Sequence, residues 1–296
     1  TSTIWSIVSY TRMSSGGVSS GIVELILFSL VGVYGIIFFL SFGASRIAPL
    51  SENLATRKRL FAVGFVLLAQ VFHFFDAHEE VIAVSAIILG FALVDALTEP
   101  LPIFSRVLAP FRNKPFGAAL GLIFSPGWIS GLFFFAFTLG LFLFLILVDQ
   151  AVDGTSINLN DIEDWVVLLS YGNYVLFPVL IIHLFFSKQS SHHFTFGVYV
   201  FIQAALFVLT LMVVAIANAL SDYEQIIYLF FPLPSVFIFA GMESYADTSL
   251  HLGITVSLMI LCFSFPLTRQ RAKVREFFAA TRKPKPTEDA APTRGD

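Results

Sequence analysis

"YLFFPLPSVFIFAG", residues 228–241, decides how many times this chain crosses a bilayer. The stretch is apolar enough for a membrane, yet it is short, and Pro232 and Pro234 break its middle. Two prolines remove amide donors from any helix there and crowd the preceding turn. Whether the stretch spans, or enters and turns back, sets the side on which the charged tail lies.

The surrounding composition makes the question meaningful. Of 296 residues, 57% are apolar and 12% are charged, with a mean hydropathy of +0.84. Roughly a quarter of a soluble domain is charged, so the reading is an all-α integral membrane protein. The chain starts at Thr1, and its first apolar run begins late and without a basic flank, so no signal peptide is expected. The one cysteine, Cys262, lies inside an apolar run and has no partner for an intrachain disulfide or a thiolate zinc set.

A spanning helix needs about 20 mostly apolar residues. Seven segments qualify: Ile22–Phe42, Leu60–Phe75, Val81–Leu97, Trp128–Val148, Trp165–Phe186, Phe194–Leu220 and Leu250–Phe265. Basic residues accumulate on the cytoplasmic side. With seven spans, every lysine and arginine except Arg12 falls on one side, in the connectors after the first, third and fifth spans and in the tail. The opposite connectors carry acidic residues, among them Asp76, Glu79, Asp153, Asp161, Asp222 and Glu243. The expected topology is N-terminus out and C-terminus in. An eighth span at 228–241 would carry the basic tail outside. Residues 226–241 are therefore expected to form a re-entrant helical hairpin on the outer side, before the last span. Non-helical backbone at that depth persists only where protein or a water-filled cavity covers it. The organisation is an outer segment 1–21, a transmembrane domain 22–267 and a cytoplasmic tail 268–296.

The connector "TEPLPIFSRVLAPFRNKPFGAALGLIFSPGW", 98–128, holds five prolines and cannot be one long helix. Its "IFSRVLAPF" suits a short interfacial helix, with Arg106 reaching toward headgroups. It reads either as a docking surface for a cytoplasmic partner or as a lipid-facing loop. Arg57, Lys58 and Arg59 of the first inner connector, with Arg106, Arg112 and Lys114 of this one, are the docking candidates. In the tail, "RQRAKVREFFAATRK" suits a basic helical stem with Phe277 and Phe278 near the lipid, and juxtamembrane basic clusters attract anionic headgroups. The final "PKPTEDAAPTRGD" is too polar and Pro-rich to pack.

Polar residues within spans are candidates for function or for helix pairing. Glu24 and Asp95 lie near span ends, Asp95 one turn before Glu99, where interfacial solvation explains them better than an ion path does. Gln203 and Asn218 suit interhelical hydrogen bonding. His73 and His251 fall near outer span ends, and His183 and His193 near inner ones, an arrangement that two stacked b haems would use. The hairpin "DAHEE", 76–80, has the ligand types for a metal but equally those of a solvated turn. No nucleotide-binding glycine loop, nucleophile elbow or zinc-protease motif is present, and the last span has no lysine for a retinal Schiff base. No catalysis, resident cofactor or nucleic-acid partner is expected.

The later part of the chain, roughly residues 60–275, resembles the permease subunit of an ABC-2-type exporter. The order "IIYLFFPLPSVFIFAG", then "LGITVSLMILCFSF", then "RQRAK" is similar to that family's outer re-entrant hairpin, last span and cytoplasmic end. This chain differs in carrying an extra span first and its N-terminus outside. The resemblance implies a separate cytoplasmic ATPase that drives a permease dimer, with ATP bound only by that partner. It also implies inner connectors 45–59 and 98–127 that receive the motion. The outer gate would be shaped by Pro232 and Pro234, with Glu243 beside them. The aromatic "GLFFFAFTLGLFLFLILV", 131–148, would suit a lipidic cargo or simply face lipid. The alternatives are a non-catalytic membrane anchor or scaffold in a larger hetero- or homo-oligomer, and a haem-b-binding or ion-conducting subunit. The expected location is a bacterial inner membrane.

Overall fold

The computed structural model describes residues 29, 32–44, 54–74, 79–101, 116–152, 162–186, 192–219 and 248–281. The stretch 228–241, Glu24, and the 102–115 part of the long connector lie outside them. The described residues are helical, with no strand among them. The chain divides into two compact units, Thr1–Ala92 and Leu93–Asp296. The helices are α1 (Gly32–Ala44), α2 (Leu54–Phe74), α3 (Glu79–Thr98), α4 (Gly117–Phe124), α5 (Trp128–Val152), α6 (Ile162–Phe185), α7 (His192–Ala219), α8 (Thr248–Arg269) and α9 (Arg271–Thr281). Among the described residues, three stretches are long and apolar enough to cross a membrane: Trp128–Leu145, Phe194–Val213 and Leu252–Arg269. Gly32–Ala44, Ile88–Thr98 and Leu169–Phe185 are shorter apolar helices.

In the first unit, aromatic rings lock α1 onto α2. Tyr34 sets its ring 4.4 Å from Phe65 and 5.0 Å from Phe61, and its hydroxyl donates to the Phe61 carbonyl at 3.2 Å. Gly64 makes room, since a Cβ there would meet that hydroxyl. Phe38 is fully buried against Phe65.

In the second unit, α6 is central. Asn173 crosses to α8, donating to the Thr255 carbonyl at 2.8 Å. Toward α7, Tyr199 donates to the Val175 carbonyl at 2.6 Å, and Gln203 Nε2 donates to the Tyr174 carbonyl at 2.9 Å. The last bond has a specific cause. Pro178 lies inside α6 and has no N–H, so the carbonyl one turn earlier, at Tyr174, loses its helical partner. An unpaired carbonyl in an apolar medium is costly, and Gln203 supplies the missing donor. Hydroxyls inside the apolar helices are satisfied locally: Thr138, Thr210 and Ser264 each donate to a carbonyl one turn back.

Candidate functional site

The site is built where α3 stops and α5 starts. Pro100 disfavours helical geometry at Glu99, and α3 ends at Thr98, whose hydroxyl donates back to the Val94 carbonyl at 2.8 Å. The chain returns through α4 and a turn at Ser125–Gly127, where Gly127 has φ 110°, a conformation that favours glycine. Glu99 then clasps the start of α5 twice. Its carbonyl accepts the Trp128 N–H at 2.9 Å, and its carboxylate Oε2 accepts the Gly127 N–H at 3.1 Å. A carboxylate at a helix N-terminus satisfies orphan amides and complements the positive end of the macrodipole. Gly131, one turn on, lies directly on α3. A Cβ there would run into the Ala96 carbonyl and stand 3.0 Å from the Leu97 nitrogen.

This clasp places Trp128 against the last turn of α6. Trp128 is fully buried, and its ring lies 4.6 Å from the ring of His183, which is 2% exposed. His183 Nδ1 sits 2.9 Å from the Val179 carbonyl. A carbonyl can only accept, so Nδ1 carries the proton, and in the neutral ring Nε2 is a bare acceptor. That Nε2, the Trp128 indole N–H and the Ser125 hydroxyl are all buried without a hydrogen-bond partner among the described residues. Most buried polar atoms are paired, so a donor and an acceptor left open on adjoining rings mark an incomplete network. A group that both donates and accepts, as a water or a hydroxyl does, would complete it. At the end of α8, the Phe263 ring lies 5.9 Å from that of Phe133 near the start of α5. The end of α3, the start of α5, the end of α6 and the end of α8 thus gather at one end of the second unit.

Asp95 is 3% exposed, one turn before Glu99 on α3, rather than solvated at headgroup depth as its position near a span end suggested. Of the basic docking candidates on α2, Arg57 is exposed, stacking over Phe61 at 5.6 Å. Lys58 and Arg59 are buried instead of forming an open basic surface, and Lys58 lies 5.8 Å from the Phe42 ring. Arg106, Arg112, Lys114, Pro232, Pro234, Glu243 and Glu24 lie outside the described residues, as do the side chains of His73, His193 and His251. Among the described residues no three His, Cys, Asp or Glu side chains are grouped to hold a metal ion. The residues that sequence reading passed over are Trp128, Gly131 and Ser125. The one signal for them was "SPGW" itself, a proline–glycine turn delivering an aromatic residue to a helix start. Comparison with protein-family models, with curated proteins and with solved structures finds no match.

Proposed function

We propose that this chain is a permease-like, multi-pass membrane subunit without catalysis of its own, working with a separate cytoplasmic ATPase. In this reading it crosses a bacterial inner membrane seven times, N-terminus out and C-terminus in. Residues 226–241 dip into the outer face, and Pro232, Pro234 and Glu243 shape an exit gate. The observation that carries the reading is the double clasp of Glu99 on Gly127 and Trp128. It joins both ends of the 98–128 connector to one rigid point. From there Trp128 bears on α6 through His183, and α4 bears on α9 at the end of α8. A partner that pushes on the connector would move several spans together, which is what an ATP-driven permease requires of its inner end.

Affinity purification in mild detergent, with bound subunits identified by mass spectrometry, tests this. Recovery of a nucleotide-binding subunit is expected, while a stable assembly without one would overturn the permease reading in favour of an anchor or scaffold. That second reading draws on α7, where Phe201 is 73% and Met212 57% exposed. Such a wide apolar side suits another subunit's helices as well as lipid.

A further inference from the structure

The helix α9 follows the last apolar span with only Gln270 between them. The backbone bonding is nearly continuous, with Gln270 N–H donating to the Pro266 carbonyl at 3.2 Å and Val274 N–H to the Gln270 carbonyl at 3.0 Å. The path is nevertheless bent. A straight helix from Phe263 to Phe278 would be about 22 Å long. Yet one ring, Phe133 on α5, lies 5.9 Å from Phe263 and 6.2 Å from Phe278. The two rings are therefore no further apart than those distances added together. Pro266 in the last turns of α8, next to the break at Gln270, is the local cause. The helix α9 turns back beside the end of the bundle instead of projecting away from it.

The sequence of α9 is two-sided. Phe277 is buried, Phe278 packs on Phe133, and α9 rests on α4. Phe277 is thus covered by protein, where sequence reading expected it near lipid, and Phe278 is half-buried. Arg271, Lys273 and Arg275 are exposed, as is Arg269 at the end of α8, and Glu276 is the one acidic side chain exposed beside them. Arg282, Lys283 and Lys285 follow directly in the sequence. A basic helix side held at the end of a membrane-crossing helix stands at headgroup depth, where negative lipid is the abundant counter-charge.

We infer that the basic side of α9 is a binding surface for anionic phospholipid headgroups of the leaflet at this end of the bundle. The inference deepens the membrane reading above and is independent of the ATPase. Protein packing orients the helix, so binding depends on charge and not on insertion of the phenylalanines. A basic residue near such a surface contributes about a fivefold preference.

The full-length protein, in nanodiscs of mixed phosphatidylglycerol and phosphatidylcholine, tests this by native mass spectrometry of the lipids it retains. Retention of phosphatidylglycerol over phosphatidylcholine is expected, falling at least about fivefold in R271Q/K273Q/R275Q. The variant R271K/R275K keeps the charge and should keep the preference. For the wild-type protein, raising salt from about 0.05 M to about 0.5 M should also weaken it, which requires no variant to fold. Equal retention by the triple variant, or no effect of salt, would overturn the proposal. So would displacement by soluble glycerol 3-phosphate, which would assign the surface to a free phosphate. Release of the protein from membranes by alkaline carbonate would instead refute the membrane reading itself.

Discussion

Gly131 and Glu99 hold the junction of α3 and α5 by opposite means, one by the absence of a side chain and one by the reach of its carboxylate. A methyl group at Gly131 would meet the Ala96 backbone, which cannot rotate away as a flexible side chain would. Gly131→Ala should therefore destabilise the protein by about 1–3 kcal/mol, the range for overpacking a tight contact. A thermal shift in detergent would reveal it, and an unchanged Tm would show that the two helices do not touch there. Glu99→Ala removes the acceptor for the Gly127 N–H and should cost about 1 kcal/mol. Glu99→Gln keeps an acceptor and loses only the charge at the helix start, so its effect should be smaller, about 0.3–1 kcal/mol. An equal loss in both would mean that charge, not hydrogen bonding, is what matters.

At the scale of elements, α6 and α7 are joined by a proline and the glutamine that compensates for it. Gln203→Leu should cost about 1–2 kcal/mol by leaving the Tyr174 carbonyl open. In a Pro178→Ala background the restored helix amide satisfies that carbonyl, and the same substitution should cost little. A double-mutant cycle measured by unfolding would return that coupling, whereas strict additivity would remove the compensation argument. This pairing also marks the limit of sequence reading. Gln203 was recognisable as a polar group needing a partner across helices, but nothing in its spacing named the Tyr174 carbonyl. The helices themselves were legible because bilayer thickness sets their length: the run Trp128–Val148 lies within α5, Trp128–Val152. Their faces were not legible. A helix apolar all round carries no periodic signal of which side is buried. The burial of Asp95, Lys58 and Arg59, and the contact of Trp128 with His183, depend on which helix faces meet, and the sequence does not mark those faces. The bend after α8 was hidden too, because the basic run reads equally well as a straight stem.

Across the molecule, burial separates the roles of the long apolar helices. The span in α5 has 44% of its residues buried within the chain, against 22% for the span in α7 and 17% for that in α8. Most of those stretches of α7 and α8 are thus left unburied by the chain itself. Leu206→Ala, at a buried position on α7, should cost about 2–5 kcal/mol. Phe201→Ala, on the exposed side, should change the isolated chain's stability by less than about 0.5 kcal/mol. Dissociation of a purified assembly by Phe201→Ala, without loss of chain stability, would identify α7 as a subunit contact and favour the anchor reading. In the proposed topology the clasped end of the bundle and the basic tail lie together on the cytoplasmic side, and residues 226–241 do not cross. Cysteine accessibility in intact cells tests it most directly, with buried Cys262 replaced by serine. Asn160→Cys should be labelled from outside by an impermeant maleimide, and Pro284→Cys should be protected until the cells are lysed. Labelling of both in intact cells would contradict the account and restore residues 228–241 as a membrane span.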